Sequence, residues 1–125
     1  LNSSEKKVLK IVDDQIGGPT SAESLAKFTY SLLSSDISGE LLHFSNKPPT
    51  TWYKFAEEIF FEAKRIKLIR QIPELIKTNT SDLDLISTRP SSSILCTSKI
   101  ENKINYNVPY WRDEVEHILN RMADE

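Results

Sequence analysis

The chain has 125 residues and a formal net charge of −2, with 38% hydrophobic residues. This length fits one domain, covering residues 1–125. The near-neutral charge gives no electrostatic reason to expect nucleic acid or an anionic membrane as a partner, and no apolar run approaches the roughly 20 residues that span a bilayer. The single cysteine excludes an intrachain disulfide, which favours a cytoplasmic location.

The first third of the chain predicts a strand, a turn and a helix. Val8–Val12 is apolar and β-branched, as strands are. Residues 13–20 predict a sharp polar turn in which Gly17 and Gly18 allow positive φ or a close approach of the backbone to a ligand. Thr20 and Glu23 have the spacing of a helix-capping box. The helix that follows has an apolar stripe of Leu25, Phe28, Leu32 and Leu33.

The middle of the chain predicts a second strand at residues 41–45 and then a helix. Pro48 and Pro49 make a stiff turn, after which Thr50 or Thr51 caps the helix. The opposite, charged face of this helix includes Glu62. Its apolar stripe is the clearest in the chain and consists of Trp52, Phe55, Ala56, Ile59, Phe60 and Ala63.

The last third predicts a strand, a long loop and two helices. Residues 72–76 predict a short strand that Pro73 holds at a sheet edge. Residues 77–93 predict a long loop, and such loops are usually functional or disordered. Ser98 and Glu101 offer a second capping box, and the last helix begins after Pro109. The whole order predicts a mixed α/β (α+β) fold of short strands with about four helices.

The candidate metal and nucleophile residues favour structural roles. His43 and His117 lack a second ligand at metal spacing. Cys96 lies in an apolar stretch and is predicted to be a buried small hydrophobe, because nothing nearby in sequence would lower its pKa. With three glycines in all, the chain lacks a dinucleotide fingerprint.

Two polar features leave alternatives open. The turn at 13–20 leads into a helix N-terminus, which suits an anion, but it also fits a plain strand-to-helix connection. Arg89 in its Ser/Thr-rich loop could form a two-pronged contact with a phosphate, or it could be an ordinary solvated arginine.

Five segments, in order, resemble the dTDP-4-dehydrorhamnose reductase family. They are the DQ-x-G-x-PT…LA pattern at residues 14–26, the strand-like segment 42–45, the TW-x-x-FA pattern at 51–56, the RPxxSxLxTxK pattern at 89–99 and the P-x-W pattern at 109–111. Each motif alone is weak, but five in the family's order are specific.

The resemblance implies the C-terminal, substrate-binding portion of an extended short-chain dehydrogenase/reductase. Such enzymes use NADPH or NADH to reduce dTDP-4-dehydro-L-rhamnose to dTDP-L-rhamnose, a donor for bacterial surface polysaccharide. The N-terminal dinucleotide-binding domain is expected to be absent. None of the four tyrosines begins the family's Tyr-x-x-x-Lys, so we expect this fragment alone to be inactive.

The resemblance also implies site residues. Gln15, Pro19 and Thr20 are expected to line the sugar-nucleotide cleft, and Arg89 to pair with the diphosphate. Cys96 stands where family members often carry Asp or Asn, and if that side chain normally caps the helix at 97–104, this chain has lost the cap.

The metal that some family members use is left uncertain. They form a metal-bridged dimer through acidic residues late in the last helix. Arg121 falls near that place, so we do not carry magnesium over, although Asp124 and Glu125 remain weak candidate ligands.

Two alternatives stay open beside the reductase fragment. One is a non-catalytic regulatory or binding relative of the same fold, and the other is a different nucleotide-sugar reductase or epimerase. We also expect the helix at residues 20–35 to pack on the absent cofactor domain. Its stripe would then be exposed in this chain, which predicts a homodimer or a larger oligomer, or a rearranged N-terminal segment.

Overall fold

The computed structural model describes residues 7–84 and 86–124. The described part is a mixed fold of short strands and four α-helices, as predicted. In chain order the elements are β1 (Val8–Val12), β2 (Ile16–Gly17), α1 (Ala22–Leu32), β3 (Thr50–Thr51), α2 (Trp52–Arg65), β4 (Glu74–Thr78), a 3₁₀ turn (Thr80–Asp82), α3 (Ser98–Ile104) and α4 (Trp111–Asp124).

Two small sheets organise the strands. β1 and β4 pair in parallel, from Val8 opposite Glu74 to Val12 opposite Thr78. β4 begins directly after Pro73, because proline has no N–H to give to a ladder. β2 and β3 form a short antiparallel pair.

The predicted strand at residues 41–45 is wrong. These residues adopt no strand, and they contribute to a hydrophobic core instead. Phe44 stacks on Phe28 of α1, with ring centroids 4.9 Å apart, and Ile100 and Val108 complete this cluster. A segment packed on helices shows the same apolar letters as a strand, so composition alone did not distinguish the two.

The same cluster corrects the expectation that the whole α1 stripe is exposed. Phe28 is only 4% exposed, and Leu32 packs against the cluster. Leu25 and Leu33 are exposed, at 45% and 80%. Half of the stripe is therefore used within this chain.

A second core lies between α2 and α4. It consists of Ala63, Trp111, Val115 and Leu119, with Phe55 and Ile59 packed against it. The contact uses Phe55, Ile59 and Ala63 of the apolar stripe predicted for α2. Glu62, which was predicted on the charged face, is instead buried and forms an ion pair with Arg65.

Of the three predicted helix caps, one is displaced, one forms as predicted and one does not form. Ser21, rather than Thr20, caps α1, and its hydroxyl accepts from the Ser24 N–H at 3.2 Å. Thr51 caps α2 as predicted. The second predicted box does not form, because α3 starts after Thr97 without a side-chain cap.

Buried Asn46 joins the starts of α1 and α4. Its Oδ1 accepts from the Ser21 N–H at 2.8 Å, and its Nδ2 donates to the Pro109 carbonyl at 3.2 Å. The Trp111 N–H donates to the Lys47 carbonyl at 3.0 Å, and the Lys47–Pro48 peptide bond is cis. These bonds fix the start of α4 next to the start of α1, the helix that follows the turn after β1.

No helix within residues 7–84 and 86–124 is both long enough and apolar enough to cross a membrane.

Candidate functional site

Three distant stretches of the chain meet beside β2 through backbone contacts. Ile16 pairs with Thr51 in the antiparallel β2–β3 pair. Along the other edge of β2, the Ile16 N–H donates to the Ser91 carbonyl and the Ser93 N–H donates to the Ile16 carbonyl, both at 2.9 Å. The turn after β1, the start of α2 and the segment 89–93 are therefore held side by side.

Gly17 and Gly18 make this junction possible because other residues approach them closely. A Cβ on Gly17 would lie 2.6 Å from the Ser93 hydroxyl oxygen. A Cβ on Gly18 would lie 2.7 Å from the Ser45 hydroxyl oxygen and 3.0 Å from the Asn46 carbonyl oxygen. The close neighbours of both glycines are residues of this chain, and the predicted approach of their backbone to a ligand stays a prediction. The positive φ in the described glycines belongs to Gly39.

The junction forms the floor of an open cleft of about 400 Å³. Its lining residues are Gln15, Trp52, Arg89, Pro90 and Ser93. A smaller pocket of about 50 Å³ adjoins it and shares Trp52 and Ser93. The cleft thus combines a cation, an amide, a hydroxyl and a large aromatic ring, which are the groups that polar ligands with one flat face require.

A hydrogen-bond chain orients Gln15 at the edge of the cleft. The Gln15 Nε2 donates to the Thr80 hydroxyl oxygen at 2.9 Å, and the Thr80 hydroxyl donates to the Asp14 carboxylate at 2.7 Å. The Thr80 N–H also donates to Asp14, at 2.9 Å. These donors lower the pKa of Asp14, the backbone bond most. The bond to Thr80 uses one of the two Nε2 hydrogens of Gln15 and fixes the orientation of its side-chain amide at the cleft.

Asp13 ties the turn to α2 and β4. It accepts from the Thr51 hydroxyl at 2.6 Å and from the Lys77 ammonium at 2.8 Å. The Lys77 bond, followed by the Thr51 bond, lowers the pKa of Asp13 below its usual value. Lys77 also lies over the Tyr53 ring, 4.7 Å from its centroid. Asp13 is therefore a structural carboxylate, with both oxygens engaged.

The predicted site residues divide between two places. Gln15 and Arg89 line the same cleft, and Pro19 lines the adjoining pocket. Thr20 lines a separate depression beside α4, which Pro19 also lines, and its hydroxyl donates to the Gly18 carbonyl at 3.0 Å. The ligand roles of these residues stay predictions.

Sequence reasoning did not assign Trp52, Ser93 and Thr80 to the site. Trp52 was placed in the α2 core stripe, but it is 51% exposed. The sequence did offer one signal. Trp52 is the first residue of α2, and it lies beyond the part of the α2 apolar stripe that packs in the core with α4. Ser93 and Thr80 carry no local signal, because long-range pairing with the turn after β1 brings them there.

Cys96 differs from its prediction. It is exposed, as are its neighbours Ile94 and Leu95. Its Sγ lies 3.0 Å from the Ser98 hydroxyl oxygen. Hydrogen bonds from the Ser98 hydroxyl and N–H lower the pKa of the Cys96 thiol, whereas the sequence suggested no such influence.

The candidate metal ligands do not assemble in the described residues. Among residues 7–84 and 86–124, no three His, Cys, Asp or Glu side chains lie close enough together to hold a metal ion. Arg121 pairs with Glu23 at 2.8 Å. Asp124 ends α4, and Glu125 lies outside the described residues.

A larger cavity of about 490 Å³ lies elsewhere, and its lining includes Lys7, Leu9, Phe60, Ile69, Ile72 and Pro73. Its walls are mainly apolar, and although Lys7 and Gln71 add an ammonium group and an amide, its lining holds no guanidinium and no hydroxyl. It therefore fits a polar, anionic ligand less well, despite its size.

The comparisons with known proteins agree on one family. Residues 1–124 match the family described as the RmlD substrate binding domain. The dTDP-4-dehydrorhamnose reductase of Aggregatibacter actinomycetemcomitans is 30% identical over 118 residues, which cover 90% of this chain and 40% of that protein. The Salmonella typhimurium enzyme of the same name is 31% identical over 123 residues, which cover 94% of this chain and 41% of that protein. The chain thus spans about two fifths of the length of these relatives.

Solved structures show the same fold. A dTDP-4-dehydrorhamnose reductase from Clostridium acetobutylicum superposes with a TM-score of 0.83 at 24% identity, covering 94% of this chain and 39% of that one. The Bacillus anthracis reductase, solved in complex with NADP, gives a TM-score of 0.77 at 24% identity, with 94% and 38% covered.

Proposed function

This chain belongs to the RmlD substrate binding domain family, and we propose that it is the substrate-binding portion of a dTDP-4-dehydrorhamnose reductase. In the whole enzyme, a hydride from NADPH or NADH would reach C4 of the sugar and a proton would reach its 4-keto oxygen. The product would be dTDP-L-rhamnose. The names of the curated relatives support this reaction.

The cleft beside β2 carries the proposal. Arg89 and Gln15, which are far apart in sequence, line it together. Arg65, Arg112 and Arg121 are each paired with glutamates, whereas Arg89 makes no ion pair with a described residue. A guanidinium with unused donors at the mouth of a cleft suits the diphosphate of a sugar nucleotide, since it can donate two hydrogen bonds to phosphate oxygens.

The residues that the structure describes do not fit the nicotinamide cofactor. A dinucleotide needs a glycine-rich turn that leaves the backbone open to the pyrophosphate. Here the space beside Gly17 and Gly18 is occupied by the side chains of Ser93 and Ser45. We therefore assign no cofactor contact and no hydride-transfer step to the described residues, and their contribution is to bind and orient the substrate.

Calorimetric titration with dTDP-L-rhamnose tests this function. We expect binding at millimolar ligand or below. Arg89→Ala should weaken it about tenfold or more, because charge-assisted hydrogen bonds are lost. The control is Arg70→Ala, an exposed arginine outside the cleft lining, which should leave the affinity unchanged. Absence of binding by the unsubstituted chain at millimolar ligand would overturn the proposal.

A further inference from the structure

Trp52 presents a large aromatic surface to the proposed substrate cleft. The residue is 51% exposed and lines both the 400 Å³ cleft and the pocket beside Gly17, Gly18 and Pro19. It follows Thr51, whose hydroxyl accepts from the Lys54 N–H at 3.2 Å and bonds to Asp13. These two bonds of Thr51 fix the backbone at the start of α2, which carries the indole.

Contacts with the core also hold the indole ring. Trp52 packs edge-to-face with Phe55, with centroids 6.1 Å apart and planes at 66°. Phe55 packs in the same way with Trp111, at 5.4 Å and 80°, and Trp111 is only 2% exposed. A rigid ring loses little conformational entropy when a ligand stacks on it.

We propose that Trp52 is the stacking surface for the thymine base of the dTDP-sugar, an assignment that rests on the proposed function. The base has two flat faces without hydrogen-bonding groups, whereas the sugar and diphosphate need polar partners. Gln15, Arg89 and Ser93 supply those partners in the cleft, and Trp52 supplies its aromatic ring.

The position of the reacting carbon supports the same orientation. C4 of the sugar must reach the nicotinamide, for which the described part of the chain offers no cradle. The sugar end must therefore point away from these residues, and the nucleotide end stays against them. With the diphosphate at Arg89, the base is the flat group left to meet Trp52.

The test compares the binding of dTDP, dTDP-L-rhamnose and inorganic pyrophosphate to substituted chains. Trp52→Ala should weaken dTDP binding about tenfold or more, in line with base–aromatic stacking, and Trp52→Phe should restore most of the affinity. Inorganic pyrophosphate should bind equally well to all three proteins, because it has no base. Tyr30→Ala, which removes a 75% exposed aromatic on α1, is the matched control and should change neither affinity.

A second measurement needs no substitution. When dTDP binds the unsubstituted chain, a base stacked on the indole should show upfield shifts of its methyl and H6 protons. Those shifts should be lost in Trp52→Ala.

Four outcomes separate the possibilities. Trp52→Ala that binds dTDP as tightly as the parent chain would overturn the stacking while leaving the proposed function standing. If Trp52→Ala lowered the affinity for dTDP-L-rhamnose but not the affinity for dTDP, Trp52 would contact the sugar rather than the base. That result would also overturn the proposal. Unshifted base protons in a bound complex would do the same. A parent chain that binds neither nucleotide contradicts the proposed function itself.

Discussion

The two tryptophans lie at opposite ends of one aromatic row and serve two different regions. Trp111 is 2% exposed at the α2–α4 core, Trp52 is 51% exposed at the cleft, and Phe55 contacts both rings. The core is closed by apolar side chains. The cleft is built from backbone hydrogen bonds and a close approach at Gly17, which leave Arg89 and Trp52 facing solvent. The comparison shows how one row of rings can stabilise the fold at one end and offer a binding surface at the other.

The largest predicted effect separates the two rings directly. Trp111→Ala should lower the free energy of unfolding by about 3–5 kcal/mol, since it leaves a cavity in the core. Trp52→Ala should cost about 1 kcal/mol or less, because half of that side chain already contacts water. Urea denaturation of both variants measures the difference. Equal losses would show that Trp52 belongs to the core and would weaken its assignment to the cleft.

Substitutions at the adjacent Gly17 and Gly18 test the same difference between the core and the cleft. Gly18→Ala should cost about 1–3 kcal/mol of unfolding free energy, because its Cβ would meet the Ser45 side chain and the Asn46 carbonyl oxygen of the core junction. Gly17→Ala should cost less, since its close contact is the Ser93 hydroxyl, which can rotate.

Thermal melts of the two glycine variants check that order. Ser93→Gly added to Gly17→Ala should recover the loss, because it removes the contacting side chain. A greater loss at Gly17 than at Gly18 would contradict the close approaches described for the junction.

The smallest predicted effect is on thermal stability at acidic pH. The pKa of Asp13 is lowered by its bonds from Lys77 and Thr51. Its contribution to stability is therefore present above its unfolded value of 3.8 and is lost as pH falls through the lower folded value. Melting temperatures between pH 7 and pH 2 should fall less steeply for Asp13→Asn than for the parent chain. Parallel curves would mean that the carboxylate does not hold the turn to α2 and β4.

The helices were predictable because their packing leaves a periodic pattern. α2 and α4 each present a stripe at steps of three and four, and both stripes meet in the core. The segment 41–45 was mistaken for a strand because an extended run packed on helices has the same composition. The α1 cap was displaced by one residue because Thr20 and Ser21 are both capable hydroxyl caps.

The site was predictable only in part, and mainly through family resemblance. Gln15 and Arg89 are joined through bonds between Ile16 and the 91–93 segment, which no local pattern in either segment predicts. Trp52 was assigned to the core because periodicity records which side of a helix a residue is on and does not show where the partner helix ends.

Amide shift mapping with dTDP-L-rhamnose tests the central claim most directly, because it locates the ligand on the unsubstituted chain. We predict shifts centred on Gln15, Trp52, Arg89 and Ser93, with little change around Leu9, Phe60 and Ile69 in the larger apolar cavity. Shifts centred on that cavity, or no shifts at millimolar ligand, would contradict the assignment of the cleft beside β2 as a sugar-nucleotide site.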